Sequence, residues 1–212
     1  MASTETFPGR HRPELLLVCG LVALLGNLAP IATLAIAAGI VEHDMIADTI
    51  SDLGRGSHKW IMDTGFYLNS AALLALAIAA AHLHPGRAGW SLGIFALALL
   101  ALLTTMIGLW DHFHSAIDGA DDLTVHTWLT FGLAPLYLAG PLLMAPGAAR
   151  LHPWMRLSFR ASAALWILFA VAFVLAPTSI DGLLEKIAVT ATYGWTLPLA
   201  WMFLREGRRS AA

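Results

Sequence analysis

Charge is scarce in this sequence. Twelve bases and fourteen acids make up 12% of its 212 residues, roughly half the share found in soluble domains, while 58% are hydrophobic. Those proportions exclude a water-soluble fold. Cysteine is nearly missing: the single Cys19 sits in an apolar run, so no intrachain disulfide, CxxC redox pair or cysteine zinc site can be built. No basic patch exists for nucleic acid to bind. Repeats at a fixed period and low-complexity tracts are also lacking, which leaves one domain with brief polar tails.

What the chain does have is long apolar runs. A spanning helix needs about 20 mostly apolar residues, and six stretches qualify: Glu14 to Val41, Lys59 to Leu83, Ala88 to Trp110, Thr124 to Ala145, Trp154 to Ala176 and Gly182 to Leu204. The first is too long for a secretory signal and reads as a retained helix, kinked at Pro30 with Asn27 one turn earlier. Pro85-Gly86, Pro146-Gly147, Pro153 and Pro177 mark short links, so neighbouring helices are antiparallel. The fold class expected is all-α, a polytopic integral membrane bundle of six transmembrane helices. Residues 1–13 and 205–212 are tails flanking a membrane domain at 14–204.

The few charges set an orientation. Nine of twelve bases lie in the tails and in the loops around Arg87 and Arg150 to Arg160; eleven of fourteen acids lie on the other side. By the positive-inside rule both termini are cytoplasmic in the cell membrane and the acidic side faces outward. Trp60, Trp110 and Trp128 then mark the outer aromatic belt, and Trp90, Trp154 and Trp201 the inner one.

Two outer segments collect the reactive side chains. One runs from Glu42-His43-Asp44 through Asp48, Ser51 and Asp52 to His58. The other holds Asp111, His112, His114, Asp118, Asp121, Asp122 and His126. Imidazole with carboxylate is the ligand set that zinc accepts. Asp122 and His126, four apart, share a helix face. A site could join His112 or His114, His126, Asp111 or Asp122 and a group from the first segment such as His58 or Asp52 around a metal, with Ser51, Asp52 and Asp122 as catalytic groups around a bound water. The same residues also fit plainer roles. Asp121, Asp122 and Thr124 can cap the fourth helix, and Ser51-Asp52-Leu53-Gly54 reads as a chain reversal with Gly54 at positive φ.

Polar groups inside the membrane point to function by default. Asp63, Asn69 and Asn27 could line a path through the bundle. Alternatively, Asp63 pairs with Lys59 four residues earlier, and the asparagines bond between helices. Lys186, beside Glu185 at a helix end, reads as a lysine snorkelling to the interface rather than a retinal attachment. No histidine pair lies at mid-span to hold haem, and neither retinal nor nucleotide is expected. A divalent metal such as zinc is the one candidate cofactor. Gly89 and Gly93 read as a helix-packing face.

The run Ala47-Asp48-Thr49-Ile50-Ser51-Asp52-Leu53-Gly54, followed by Trp60 to Phe66, resembles the signature of a prokaryotic membrane family known as domain of unknown function 998. Gly108, His126 with Phe131 behind it, and Gly182 to Ile187 extend the resemblance over about Glu14 to Leu204. The Asp111 to Asp122 link is longer and richer in histidine than that family's, and Lys186 stands where arginine is expected. The resemblance implies a fold and a membrane location, and singles out Ser51, Asp52 and His126. More remotely, the chain is similar to alkaline ceramidase and adiponectin receptor-type hydrolases, which set a serine, an aspartate and three histidines around zinc. Those have seven spans and an HxxxH pair that this chain lacks.

Three functions follow as expectations. One is a metal-assisted hydrolase of a lipid or lipid-linked ester or amide at the outer leaflet. Another is a small-solute or ion transporter using Asp63 and Asn69. The third is a non-catalytic accessory subunit of the membrane.

Overall fold

The computed structural model describes residues 12–109 and 125–211, and these form helices joined by short links, with no strand among them. The elements are α1 (Pro13–Ala38), α2 (Ile50–Leu53), α3 (Lys59–His82), α4 (Ala88–Gly108), α5 (Val125–Leu151), α6 (Met155–Leu175), α7 (Asp181–Ala191) and α8 (Tyr193–Ala211). Among the described residues six helical runs are long and apolar enough to cross a membrane, α7 and α8 together making the last. Pro13 opens α1, where a missing N–H costs nothing, and Ala176-Pro177 ends α6 because the residue before a proline avoids helical geometry.

Successive spans pack as neighbours, α1 on α3, α3 on α4, α4 on α5, α5 on α6 and α6 on α7, and α8 closes the ring against α1. Glycines set how closely these helices approach. Gly26 faces the Leu68 carbonyl and Ala72 of α3, Gly65 faces Thr33, and Gly20 faces Leu204 of α8. Gly89 and Gly93 meet Leu143 and Met144 of α5, which makes them the packing face expected. With no hydrophobic drive between helices in lipid, such close contacts and interhelical hydrogen bonds carry the association. Ser70 Oγ donates to Ala101 O at 2.7 Å across α3 and α4.

Three features depart from expectation. Helix α5 runs through Pro146-Gly147 to Leu151 although it also contains Pro135 and Pro141. Gly147 packs on the Trp90 ring and Ala148 is fully buried, so tertiary contact outweighs the lost backbone bond, as neighbours permit in membranes. Trp90 is no belt residue. It is completely buried and its Nε1 donates to Ala80 O at 2.8 Å. Trp60, Trp128, Trp154 and Trp201 are exposed at the two ends of the ring. The last span, expected as one helix, is interrupted at Thr192, and its second part continues through the polar residues 205–211.

Toward the termini the interior is filled by Trp90, Met144, Met155, Phe159, Trp195 and Phe203. At the other end, α2 sits on Ala37, Ile61 and Met62 with Val189 alongside. A leucine at position 26 drives its side chain into the Leu68 carbonyl and Ala72. Gly26→Leu is therefore expected to cost about 1–3 kcal/mol, read as a lower midpoint of thermal unfolding in detergent. Gly39→Ala, where an added Cβ meets nothing closer than 3.5 Å, should leave that midpoint in place.

Candidate functional site

The segment before α2 is built from its own acids. Asp44 Oδ1 accepts from the Ile46 and Ala47 N–H groups at 2.8 and 3.2 Å, and the Asp44 N–H donates to Asp48 Oδ2 at 2.7 Å. Those backbone donors hold the Asp44 carboxyl below the usual range. Thr49 and Asp52 form a capping box around α2. The Thr49 hydroxyl and N–H donate to Asp52 Oδ2 at 2.7 and 2.9 Å, and the Asp52 N–H returns to Thr49 Oγ1. Burial pushes the Asp52 carboxyl upward, but the Thr49 bonds outweigh it and the net shift is down. Ser51-Asp52-Leu53 is thus a capped helical turn rather than a reversal. Gly54 has φ −79°, and the positive φ of +71° falls on Gly56.

Helix α7 straps this segment to the bundle. Its Leu183 N–H donates to Ile46 O at 2.8 Å, and Gly182 lies so close to the Asp48 carbonyl that a side chain there has no room. Lys186 Nζ donates to Asp48 O at 2.5 Å and Gly182 O at 3.2 Å. Glu185 Oε2 accepts the Ile50 N–H at 2.5 Å. Lys186 is therefore buried at 8% exposure and does not snorkel. The burial also shapes His43, whose side chain is 2% exposed with Nδ1 3.7 Å from Asp48 Oδ2. Desolvation lowers its pKa, the Lys186 charge adds to this, and Asp48, Asp52 and Asp44 oppose it.

Held this way, Ser51 reaches the first turn of α5, and its Oγ lies 2.9 Å from His126 Nε2. Behind the pair is a cavity of about 180 Å³ inside the ring. Ser51, Glu185, Asn69, Thr192 and Tyr193 border it, among Phe66, Phe131, Tyr137, Trp166 and Phe173. A wider open groove of about 460 Å³ runs along α6, α7 and α8. Its serines are spent on helix contacts, Ser158 Oγ on Gly194 O and Ser162 Oγ on Ala191 O, and Ser51 and His126 are not part of it.

Of the residues singled out in the sequence, Ser51 and His126 are brought together. Asp52 is next to Ser51 but turned to its capping bonds. Asp63 is not on the cavity wall; it pairs with Lys59 at 2.6 Å, whose Nζ also reaches Gly108 O between α3 and α4. Asn69 borders the cavity and donates to Asn27 Oδ1 at 3.4 Å, and Asn27 donates to Ala23 O. Asp111, His112, His114 and Asp122 lie outside the described residues. Among the described residues no three His, Cys, Asp or Glu side chains gather as a metal would require. Glu185, Thr192 and Tyr193 went unread as site residues. The signal for the first was the Glu185-Lys186 pair itself, two charges within an apolar span.

The strap predicts an ordered series. Lys186→Met leaves the Asp48 carbonyl without its charged donor and is expected to cost about 1.5–3 kcal/mol. Lys186→Arg, which keeps charge and donors, should fall between that variant and the wild type when thermal unfolding is followed in detergent.

No match to this chain was found among curated proteins or among solved structures. A family model, described as protein of unknown function (DUF998), matches residues 18–202. That match reaches into all six spans and includes the capped turn with Ser51, His126 and the Gly182 to Lys186 strap, and so the chain belongs to the family of domain of unknown function 998.

Proposed function

We propose that this protein is a membrane-embedded hydrolase that cleaves a lipid ester or a lipid-linked amide, with Ser51 as nucleophile and His126 as its base. The observation that carries the reading is the 2.9 Å contact between Ser51 Oγ and His126 Nε2, with Ser51 on the wall of an aromatic-lined cavity. A serine is a weak nucleophile until an adjacent base takes its proton. The lining of the cavity also runs out between α5 and α6 to Phe131 and Val174, 49% and 66% exposed on the lipid-facing surface. An apolar chain can enter there from the side, which favours a lipid over a soluble substrate.

In this mechanism His126 Nε2 takes the Ser51 proton as Oγ bonds to the carbonyl carbon and the C=O electron pair moves onto oxygen. Collapse of that intermediate breaks the bond to the leaving alcohol or amine, which receives the proton from His126. Water, deprotonated by His126 in turn, then attacks the acyl-serine, and the acid departs with Ser51 restored. Glu185 and Lys186 act as positioning residues through the backbone of residues 48–50. His126 cannot serve at once as a metal ligand through Nε2 and as this base. The metal-assisted variant with Asp111, His112, His114 and Asp122 is therefore a separate outcome.

The test is labelling of the purified protein with a lipid-tailed fluorophosphonate. Ser51→Ala should abolish covalent labelling, and His126→Gln should slow it by on the order of 10²-fold or more. Wild-type labelling that persists in Ser51→Ala, or never occurs, overturns the serine mechanism. Ester turnover that chelators abolish and zinc restores assigns His126 to metal instead.

We also propose that the site faces away from the cytoplasm in the cell membrane, because Arg87, Arg150, Arg156, Arg160, Arg205, Arg208 and Arg209 all lie toward the opposite end. In a Cys19→Ala background, Ser57→Cys is expected to react with a membrane-impermeant maleimide on intact cells. Ser210→Cys should react only after lysis, and the reverse pattern inverts the orientation.

A further inference from the structure

The last span carries polar groups at two depths of the same cavity. Glu185, bonded to the backbone just before Ser51, stands at the upper level. Tyr193 follows eight residues further along, its backbone about 12 Å deeper at 1.5 Å per residue. The helix is broken between them. α7 stops at Ala191, the Thr192 N–H bonds to Val189 O at 3.1 Å and the Trp195 N–H to Thr192 O at 3.1 Å, so the backbone tightens to i→i+3 bonding around Thr192. Interruptions of this kind within a span occur where the backbone meets a site.

Tyr193 is only 8% exposed, borders the cavity, and its hydroxyl has no hydrogen-bond partner among the described residues. A buried phenol normally finds one. Asn69, at a similar depth on α3 some ten residues from the start of that helix, borders the same space with its Nδ2 turned to Asn27. The wall between the two levels is apolar, from Phe66, Ala188 and Val189.

We infer that Tyr193 and Asn69 form a second, deep polar subsite, which selects lipids whose chain bears an oxygen function, a hydroxyl or keto group, well below the headgroup. The Tyr193 hydroxyl, sealed in the wall without a partner among the described residues, turns to donate to that oxygen, and Asn69 on the wall of the same cavity supplies a further polar contact. A plain hydrocarbon chain leaves the phenol unpaired, whereas an oxygenated chain satisfies it, and such a mismatch is what lets a site reject the analogue lacking the group. This assignment rests on the cavity being a lipid site, as in the hydrolase reading, but not on Ser51 being a nucleophile.

The test is calorimetric binding of 10-hydroxystearate and of stearate to the full-length protein in nanodiscs. Wild-type protein is expected to bind the hydroxy acid about tenfold more tightly, a difference of one hydrogen bond's order. Tyr193→Phe, which keeps the ring and its packing, should bring the two affinities together, with Asn69→Leu reducing the preference in part. Ser51→Ala should keep the preference while losing fluorophosphonate labelling. Equal affinities in the wild type, or a preference that survives Tyr193→Phe, overturn the subsite. The first of these is also the result expected if water alone satisfies the phenol. A preference intact in a protein that never labels overturns the hydrolase and leaves the subsite standing.

Discussion

Backbone that is not helical has to find its hydrogen-bond partners inside the protein when it is packed into the end of a membrane bundle. Here the stretch from Asp44 to Thr49 and the first N–H groups of α2 meet that requirement with side chains: Asp44, Asp48, Thr49 and Asp52 from within, Glu185 and Lys186 from the last span. Everything at this end follows from the arrangement. The capped turn has one orientation because its carboxylates are committed to its own N–H groups, and one position because the Asp48 carbonyl and the Ile50 N–H are claimed by neighbouring residues of α7. Ser51 meets His126 as a result, although the two are 75 residues apart in the chain.

The ring of six spans explains why a cavity exists at all. Each helix touches mainly its two neighbours, so the centre must be filled by large side chains or left open. On the side of the termini it is filled, by tryptophan, phenylalanine and methionine against small residues such as Gly140 under Trp195. Nearer α2, aromatic side chains such as Phe66, Phe131, Trp166 and Phe173 stand around the space without closing it, and the cavity persists. A site inside a bundle, between helices, is where pockets commonly form.

Hydropathy alone made the spans legible, because bilayer thickness sets their length and lipid leaves no other way to pair the backbone. The ends were less legible. Pro146-Gly147 has the composition of a break, and only the Trp90 ring packed on Gly147 shows why the helix goes on. Thr49 and Asp52 have the spacing of a cap, yet Gly54 suggested a reversal whose positive φ belongs to Gly56. Ser51 and His126 could be nominated from their chemistry and from the family resemblance, but not paired, since nothing local relates a turn after α1 to the start of α5. Glu185 and Lys186 were visible as charges and misread as interfacial, because their partners are backbone groups, which a sequence of side chains does not display. Tyr193 was invisible for a different reason: its significance is a missing partner and a broken helix, both tertiary facts.

The three prolines of α5 have a mechanical consequence. Each removes one rung of the helix's hydrogen-bond ladder, and Pro135 does so ten residues beyond the start of a helix whose second residue is His126. The portion from Val125 to Ala134 is therefore coupled to the rest of the bundle by a weakened joint. Its Phe131 forms one edge of the lateral opening. A bend at that joint carries His126 and Phe131 together, so the spacing of Ser51 from His126 and the gap beside Phe131 change in a single motion.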